Sequence, residues 1–254
     1  MKSKKITRIL LPLFLPMIII ILWHIVTSLN LFSEVILPPI SSVISGLTSG
    51  TQMNILLNDT AVSLLRVMKG YLIGSFLGIA LGVLMGMQEK INRFFNSTFT
   101  FIRQIPIVAW IPLIIVWSGI GEMSKVIIIA MATFFTVLVN TISGIKGVNK
   151  EYLELARLYQ LKGWKRFWKI DFPSSIPSIL TGLRLGLGAS WMAVVASELI
   201  GAENGIGYRI NDSRALMRSD LVIICMLIIG IVGLFMDRFL LRLNRLMTPW
   251  KKED

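Results

Sequence analysis

One histidine and one cysteine in 254 residues leave little material for metal or redox chemistry. A Cys/His metal cluster needs several such ligands, and Cys225, alone in an apolar run, has no partner for an internal disulfide. No G-x-x-x-x-G-K-[ST] segment occurs, so the chain has no P-loop with which to hold ATP. Neither a metal nor a cofactor is expected. The remaining residues with chemical potential are a few ionisable groups set within long apolar runs: Arg103, Arg184 and Glu198, with His24 nearer the start. A charge at the centre of a bilayer costs about 3 kcal/mol or more, so each is a candidate to line the path of a polar solute. Plainer roles compete. Arg103 and Arg184 lie within about two turns of the ends of their runs, close enough to snorkel to the interface. Glu198 precedes the glycine-rich stretch 201–207 and fits either a path lining or a membrane interface, while His24 fits simple packing. No series of acids suggests a proton relay, and no matched pair of Gly/Pro-broken helices suggests inverted repeats, which argues against an ion-coupled carrier.

A second set of residues sits in the loop 147–175. Asn149 suits a helix N-cap, with Glu151 and Glu154 in the first turns and Val148 and Leu153 placed as a hydrophobic staple. Tyr152, Leu155, Ala156 and Tyr159 then share one face of a short amphipathic helix, and that face needs a partner. Trp164, Phe167, Trp168 and Ile170 follow among Lys165, Arg166 and Lys169, a composition suited to a lipid surface. Pro173 and Pro177 set the entry of the next apolar run.

The elements that must position these groups are membrane spans. Apolar residues make up 54% of the chain and charged residues 16%, against about 25% charged in soluble domains. Runs 9–33, 70–88, 104–121 and 126–145 hold no Asp, Glu, Lys or Arg; 172–197 is interrupted only by Arg184. A helix needs about 20 apolar residues to cross the hydrocarbon layer. The runs predict six transmembrane helices, at about 9–30, 66–88, 99–120, 124–145, 175–199 and 219–240, forming a single transmembrane domain over 1–254. The stretch 35–58 is also uncharged but rich in Ser, Thr, Asn and Gly and broken by Pro38 and Pro39, so it reads as interfacial. The basic N-terminus leads into a run of full span length with no small-x-small cleavage site, which favours an uncleaved first helix over a signal peptide. With that end inside, 18 of the 26 Lys and Arg fall on the cytoplasmic side and both termini are cytoplasmic. The net charge of +12 is then an orientation signal, and no nucleic-acid partner is implied. In the second span Gly70, Gly74, Gly78, Gly82 and Gly86 recur every four residues on one helix face, allowing a neighbouring helix to approach closely, either within the subunit or between subunits.

The loop resembles that of the inner-membrane permeases of binding-protein-dependent ABC importers, whose cytoplasmic pattern runs E-A-A, a glycine four positions later, then I-x-L-P. Glu154, Leu155 and Ala156 stand for the E-A-A, and Pro173 falls at the family's proline. Gln160 occupies the glycine position, with Gly163 three residues on. The stretches RQIPIVAWIPLIIVWSGIGE (103–122), GLRLGLGASWMAVVASE (182–198) and GIGY (205–208) resemble the nitrate, sulfonate and taurine type, and the likeness extends over about 35–245. The resemblance implies an all-α membrane protein of the type I importer class, a multi-pass subunit of the bacterial cytoplasmic membrane without enzymatic activity. It implies a permease pair, usually identical, two copies of a cytoplasmic ABC ATPase, an extracytoplasmic solute-binding protein and surrounding lipid. Glu154 and its helix would couple to the ATPase. The implied cargo is a small polar or anionic solute such as nitrate, a sulfonate, taurine, bicarbonate or a pyrimidine. An ion-coupled carrier and a non-transporting scaffold are the alternatives.

Overall fold

Glycine at every fourth position of one helix decides how the bundle is assembled. The computed structural model describes residues 2–247, with side chains from Phe14 onward. The side chains of Lys2, Lys4, Lys5 and Arg8, and all of Lys251 and Lys252, which count toward the cytoplasmic charge, lie outside that set. The described elements are all helical: α1 (Lys2–Ser28), α2 (Ile40–Thr48), α3 (Gly50–Met87), α4 (Glu89–Gln104), α5 (Ile107–Ser118), α6 (Glu122–Lys146), α7 (Lys150–Leu158), α8 (Gly163–Arg166), a π-helical turn (Phe167–Asp171), α9 (Phe172–Gly201), α10 (Ile206–Ala215) and α11 (Ser219–Met247). α8, the π turn and α9 run on as one helix, Gly163–Gly201.

The most extensive interfaces are α3 with α6 and α6 with α9. The glycine ridge of α3 lies directly on α6. A Cβ added at Gly70 would fall 2.6 Å from the Ile129 side chain, at Gly78 3.0 Å from Val137 Cβ, at Gly82 2.6 Å from Thr141 Cβ and at Gly86 2.8 Å from Ile145 Cβ; Gly74 abuts Ala130 and Thr133. From the other side Gly182 of α9 meets Asn140 and Gly186 meets Val137 and Thr133. α6 is therefore held between two glycine faces. Its Thr133 and Thr141 hydroxyls donate to carbonyls one turn back, at 2.9 and 2.8 Å, so both are satisfied without a cross-helix partner.

Among the described residues, α3, α6, Gly163–Gly201 and α11 are each long and apolar enough to cross a membrane. α4 and α5 would make a fifth span if taken together, but they are bent by 99°. The continuous helix expected over 99–120 is thus replaced by two. Pro106 disfavours helical geometry at the residue before it, and Ile105 is extended at φ −77° and ψ 119°. α4 buries none of its residues and is anchored through Phe99, whose ring lies 5.8 and 5.9 Å from Phe134 and Phe135 of α6.

The second helix also departs from expectation, beginning at Gly50 instead of near 66. The chain does break at Pro38–Pro39, with Pro39 capping α2, but residues 50–58 continue directly into the long helix. Polarity suggested a segment solvated at the interface. In the folded chain Thr51, Asn54 and Asn58 stay exposed, while Asp59, Thr60, Ser63 and Arg66, which follow on the same helix, are buried and hydrogen-bonded.

If the ridge is a packing device, Gly78→Leu overfills a seam with no space and should destabilise the permease by roughly 3 kcal/mol. Gly230→Leu on α11, where an added Cβ meets nothing within 4 Å, should be neutral. Thermal unfolding of the detergent-extracted chain checks both.

Candidate functional site

Two regions concentrate the polar groups, at opposite ends of the bundle. The first forms where the Gly201 end of α9 meets α3, α6 and α10. Asp59, Ser63 and Arg66 follow one another at spacings of four and three, so α3 presents all three on one face. Glu198 points at them from α9. Arg66 is 2% exposed and Glu198 1%. Arg66 Nη1 donates to Glu198 Oε1 at 2.7 Å and to the Asn204 carbonyl at 2.8 Å. Its Nε donates to Glu122 Oε2 at 2.9 Å, and Nη2 reaches both Glu122 and the Asn204 side chain. All five guanidinium N–H donors are met.

Backbone amides complete the cluster. Gly207 N donates to Glu198 Oε2 at 2.9 Å, Ile206 N to Ser63 Oγ at 2.9 Å and Gly205 N to Asp59 Oδ1 at 3.1 Å. The start of α10 thus turns its free amides, and the positive end of its dipole, onto buried acids. This approach requires glycine. Gly205 has φ +109°, and a Cβ at Gly207 would lie 2.8 Å from Glu198 Cβ. Asp59 Oδ2 accepts from Arg209 Nε at 2.8 Å, tying α10 to α3 a second time. Lys125 is buried beside the cluster and donates from Nζ to the Gly121 carbonyl at 3.0 Å.

Glu198 is therefore buried and paired here, not set at an exposed interface. The three ionisable candidates also do not converge. Arg184 lies 14 residues before Glu198 on the same helix, about 21 Å away at 1.5 Å per residue, and pairs with Asp237 of α11 at 2.6 Å. Arg103 is exposed at the end of α4 beside a recess lined by Phe99 and Phe135. Sequence reasoning missed Arg66, Asp59, Glu122 and Asp237. The recurrence of Asp59, Ser63 and Arg66 on one face was the available signal, hidden by treating 35–58 as separate from the helix.

The second region is the 147–175 loop. Asn149 caps α7, its side chain accepting from Glu151 N at 3.4 Å. Tyr152, Glu154, Leu155, Leu158 and Tyr159 are exposed on α7, while Ala156 is 2% exposed and turned inward. The shared face expected for Tyr152, Leu155, Ala156 and Tyr159 is thus corrected at Ala156. The helix ends where Gln160 adopts φ +53° and Leu161 N donates back to the Ala156 carbonyl at 2.8 Å, a left-handed C-terminal turn. Gly163, also left-handed at φ +52°, begins α8. Trp164 stacks on Phe167 at 5.1 Å, and Pro173 sits in the first turn of α9. Between loop and bundle lies a recess of about 450 Å³ lined by residues that include Leu153, Arg166 and Asp171.

Residues 70–249 match the family described as the binding-protein-dependent transport system inner membrane component. The chain belongs to this family. It is 39% identical over 250 residues to a protein of Methanocaldococcus jannaschii named as an ABC transporter permease, covering 96% of this chain and 93% of that one. It is 31% identical to the taurine transport system permease protein TauC of Escherichia coli, covering 93% and 88%. The MetNI methionine ABC transporter, solved in inward-facing conformations, has a chain of the same fold, with a TM-score of 0.70 at 16% identity over 79% of this chain and all of the other. The protein is a multi-pass inner-membrane permease of an ABC importer that works with an ATPase and a binding protein.

Two outcomes follow for the permease. Arg66→Met leaves Glu198 buried without its cation and should cost about 3–5 kcal/mol, with partial recovery in Arg66→Met/Glu198→Leu, where no charge is stranded; thermal unfolding in detergent reads both. Gln160→Gly should stabilise the loop by about 1 kcal/mol, because glycine adopts the left-handed turn without a Cβ clash. Protease protection of the 147–175 loop measures that gain.

Proposed function

We propose that the permease acts as a pair of identical subunits, each of six spans with both termini in the cytoplasm, surrounded by lipid and driven by two copies of the ATPase. In this reading a binding protein delivers a small polar or anionic solute to the outer face, and alternating access carries it inward. The permease itself performs no catalysis; hydrolysis belongs to the ATPase. A sulfonate or similar oxyanion is the cargo class, supported by the likeness to a permease named for taurine.

The observation that carries this reading is the exposed face of α7. Tyr152, Leu155, Leu158 and Tyr159 are 50%, 44%, 78% and 76% exposed on a capped two-turn helix at one end of the bundle. Four large apolar groups on nine to ten residues of polar loop are unfavourable in water and suit insertion into a groove of a partner protein. In this assignment Tyr152, Leu155 and Tyr159 dock, Glu154 supports the helix start, and Ala156, Gly163 and Pro173 shape the loop that presents them. The buried cluster of Arg66 and Glu198 lies at the outer end, where it fixes the surface offered to the binding protein.

Leu155→Arg tests the docking role, because it puts a long cation into an apolar groove while leaving the bundle untouched. Recovery of the ATPase with the tagged permease should fall about tenfold or more, and binding-protein-stimulated hydrolysis in nanodiscs should disappear. Ala156→Arg should instead disturb the loop's own packing and lower the stability of the isolated permease. Full ATPase recovery and full stimulation with Leu155→Arg would reopen the carrier and scaffold readings.

A further inference from the structure

Of the arginines set within the helical bundle, Arg66 and Arg184 each hold a carboxylate, and Arg103 holds none among the described residues. Its depth makes that costly. α6 runs from Glu122 to Lys146, so Phe134 lies twelve residues from either end, about 18 Å at 1.5 Å per residue. The Phe99 ring of α4 meets Phe134 and Phe135 at 5.8 and 5.9 Å, which puts Phe99 at the middle of that span. A second marker agrees. Glu89 accepts from Lys146 Nζ at 3.4 Å, so α4 starts level with the end of α6 and takes ten residues, about 15 Å, to reach Phe99. Arg103 follows one turn beyond Phe99, and helical side chains lean back toward the N-terminus, so its guanidinium falls near the same middle level. Both ends of the span are too far for it to reach. A guanidinium exposed at that level is expensive against lipid chains and has to face water or protein.

The rest of α4 points to water. Asn96, Thr100 and Arg103 recur at spacings of four and three on one face, with Asn96 and Arg103 exposed. Phe94 and Phe101, 76% and 71% exposed, occupy the opposite face. A helix so divided, lying between the middle of α6 and its Lys146 end, has one side suited to lipid and one that is not. The backbone gives the same indication independently. α4 and α5 are interrupted at Ile105 and Pro106, just past that middle level, and bent by 99°. Helix ends carry carbonyls and amides without helical partners, which are tolerated at bilayer depth only where protein covers them or water reaches them, and Pro106 is exposed. Between α4 and α6 lies a recess of about 180 Å³. Arg103 stands at its deep end, Asn96 and Thr100 form a polar side, and Phe99, Phe135 and Val139 form an apolar wall. The recess continues along α6 to Ser143, three residues from Lys146, and so joins the middle of the span to one end.

We propose that this recess is a station on the solute's path, where Arg103 takes an oxyanion head group and Phe99, Phe135 and Val139 take the short hydrocarbon body behind it. The proposal rests on the importer reading above and adds the residues that contact cargo. A guanidinium fork matches two oxygens of a sulfonate or carboxylate. The apolar wall then separates one oxyanion from another. A small alkanesulfonate fills both parts of the recess, whereas nitrate or bicarbonate, without an apolar body, uses the fork alone. Arg103 is exposed, so the anion is held from one side only and can leave, as passage through a membrane requires.

The test is thiol labelling of the assembled transporter, ATPase included, in nanodiscs without nucleotide. The permease's single cysteine, Cys225, is buried, so the unsubstituted permease is the blank. Thr100→Cys and Phe101→Cys place a thiol at one depth on the two faces of α4. Each is reacted with anionic 2-sulfonatoethyl methanethiosulfonate and with its cationic trimethylammonium counterpart, every rate being divided by that for free cysteine. Only a solvated thiolate reacts, so Thr100→Cys should label about a hundredfold or more faster than Phe101→Cys. It should prefer the anionic reagent about tenfold or more, keep that preference in Arg103→Lys and lose it in Arg103→Gln. A cation also makes a nearby thiol more reactive, but equally toward both reagents, so the ratio isolates its attraction for the sulfonate. Sodium ethanesulfonate should slow the labelling of Thr100→Cys, sodium nitrate should slow it less, and ethyl methyl sulfone should not slow it; in Thr100→Cys/Arg103→Gln none should protect. Labelling no faster at Thr100→Cys than at Phe101→Cys, a preference that survives Arg103→Gln, no protection by ethanesulfonate, or equal protection by nitrate overturns the proposal. Failure of Arg103→Gln to assemble with the ATPase makes the charge structural and overturns it as well. Absence of the ATPase from the unsubstituted preparation counts against the importer reading instead, which separates the two failures.

Discussion

A guanidinium buried to 2% exposure cannot be left short of a partner, and that requirement organises one whole end of the permease. Arg66 needs acceptors around its full edge, and these come from Glu198 on α9, Glu122 at the start of α6 and both oxygens of Asn204 in the intervening loop. Glu198 in turn needs donors beyond Arg66, and the amide of Gly207 and the hydroxyl of Ser63 supply them. The arrangement forces α3 to reach far beyond its glycine ridge, α10 to begin at Ile206 and positions 205 and 207 to lack side chains. Replacing such a cluster with apolar residues is often neutral or stabilising, whereas removing one member is not. Its contribution is therefore to specify one arrangement of four helices.

Below this cluster the bundle has almost no adjustable parts. Along the seam between α3 and α6, and again between α6 and α9, backbone meets side chain with glycine on one side. A glycine seam has no rotamers with which to absorb a displacement on its own side. α3, α6 and α9 should accordingly respond to a load as one body, pinned by the Arg66 cluster at one end and joined at the other to α7 through short connections. That mechanical continuity is what a transport subunit powered from a separate protein needs. The exposed apolar face of α7 and the rigid slab behind it are complementary parts of the same design.

The features legible in the sequence were those carried by one strong periodicity or by long apolar runs. Five glycines at a spacing of four announced a close helix approach, and Asn149 with Val148 and Leu153 announced α7. Features resting on mutual satisfaction of polar groups were not legible. That α3 starts at Gly50 and not near 66 becomes clear only when Asp59, Ser63 and Arg66 are matched with partners some 130 to 150 positions later. The inward turn of Ala156 is not announced by its place among Tyr152, Leu155 and Tyr159, and the left-handed turn at Gln160 was signalled only by the glycine that the family has there. Pro106 was visible, but a proline within an apolar run can kink a helix slightly or bend it by 99°, and only packing against Phe134 and Phe135 decides.

The central claim is that the start of α10 is locked onto buried acids of α3 and α9. Hydrogen–deuterium exchange of the assembled transporter measures this directly, through a peptide that contains the amides of Gly205, Ile206 and Gly207. The account predicts that these three exchange as slowly as the interior of α6, although they sit at a glycine-rich turn where amides ordinarily exchange fast. Exchange at the rate of an open loop would contradict it.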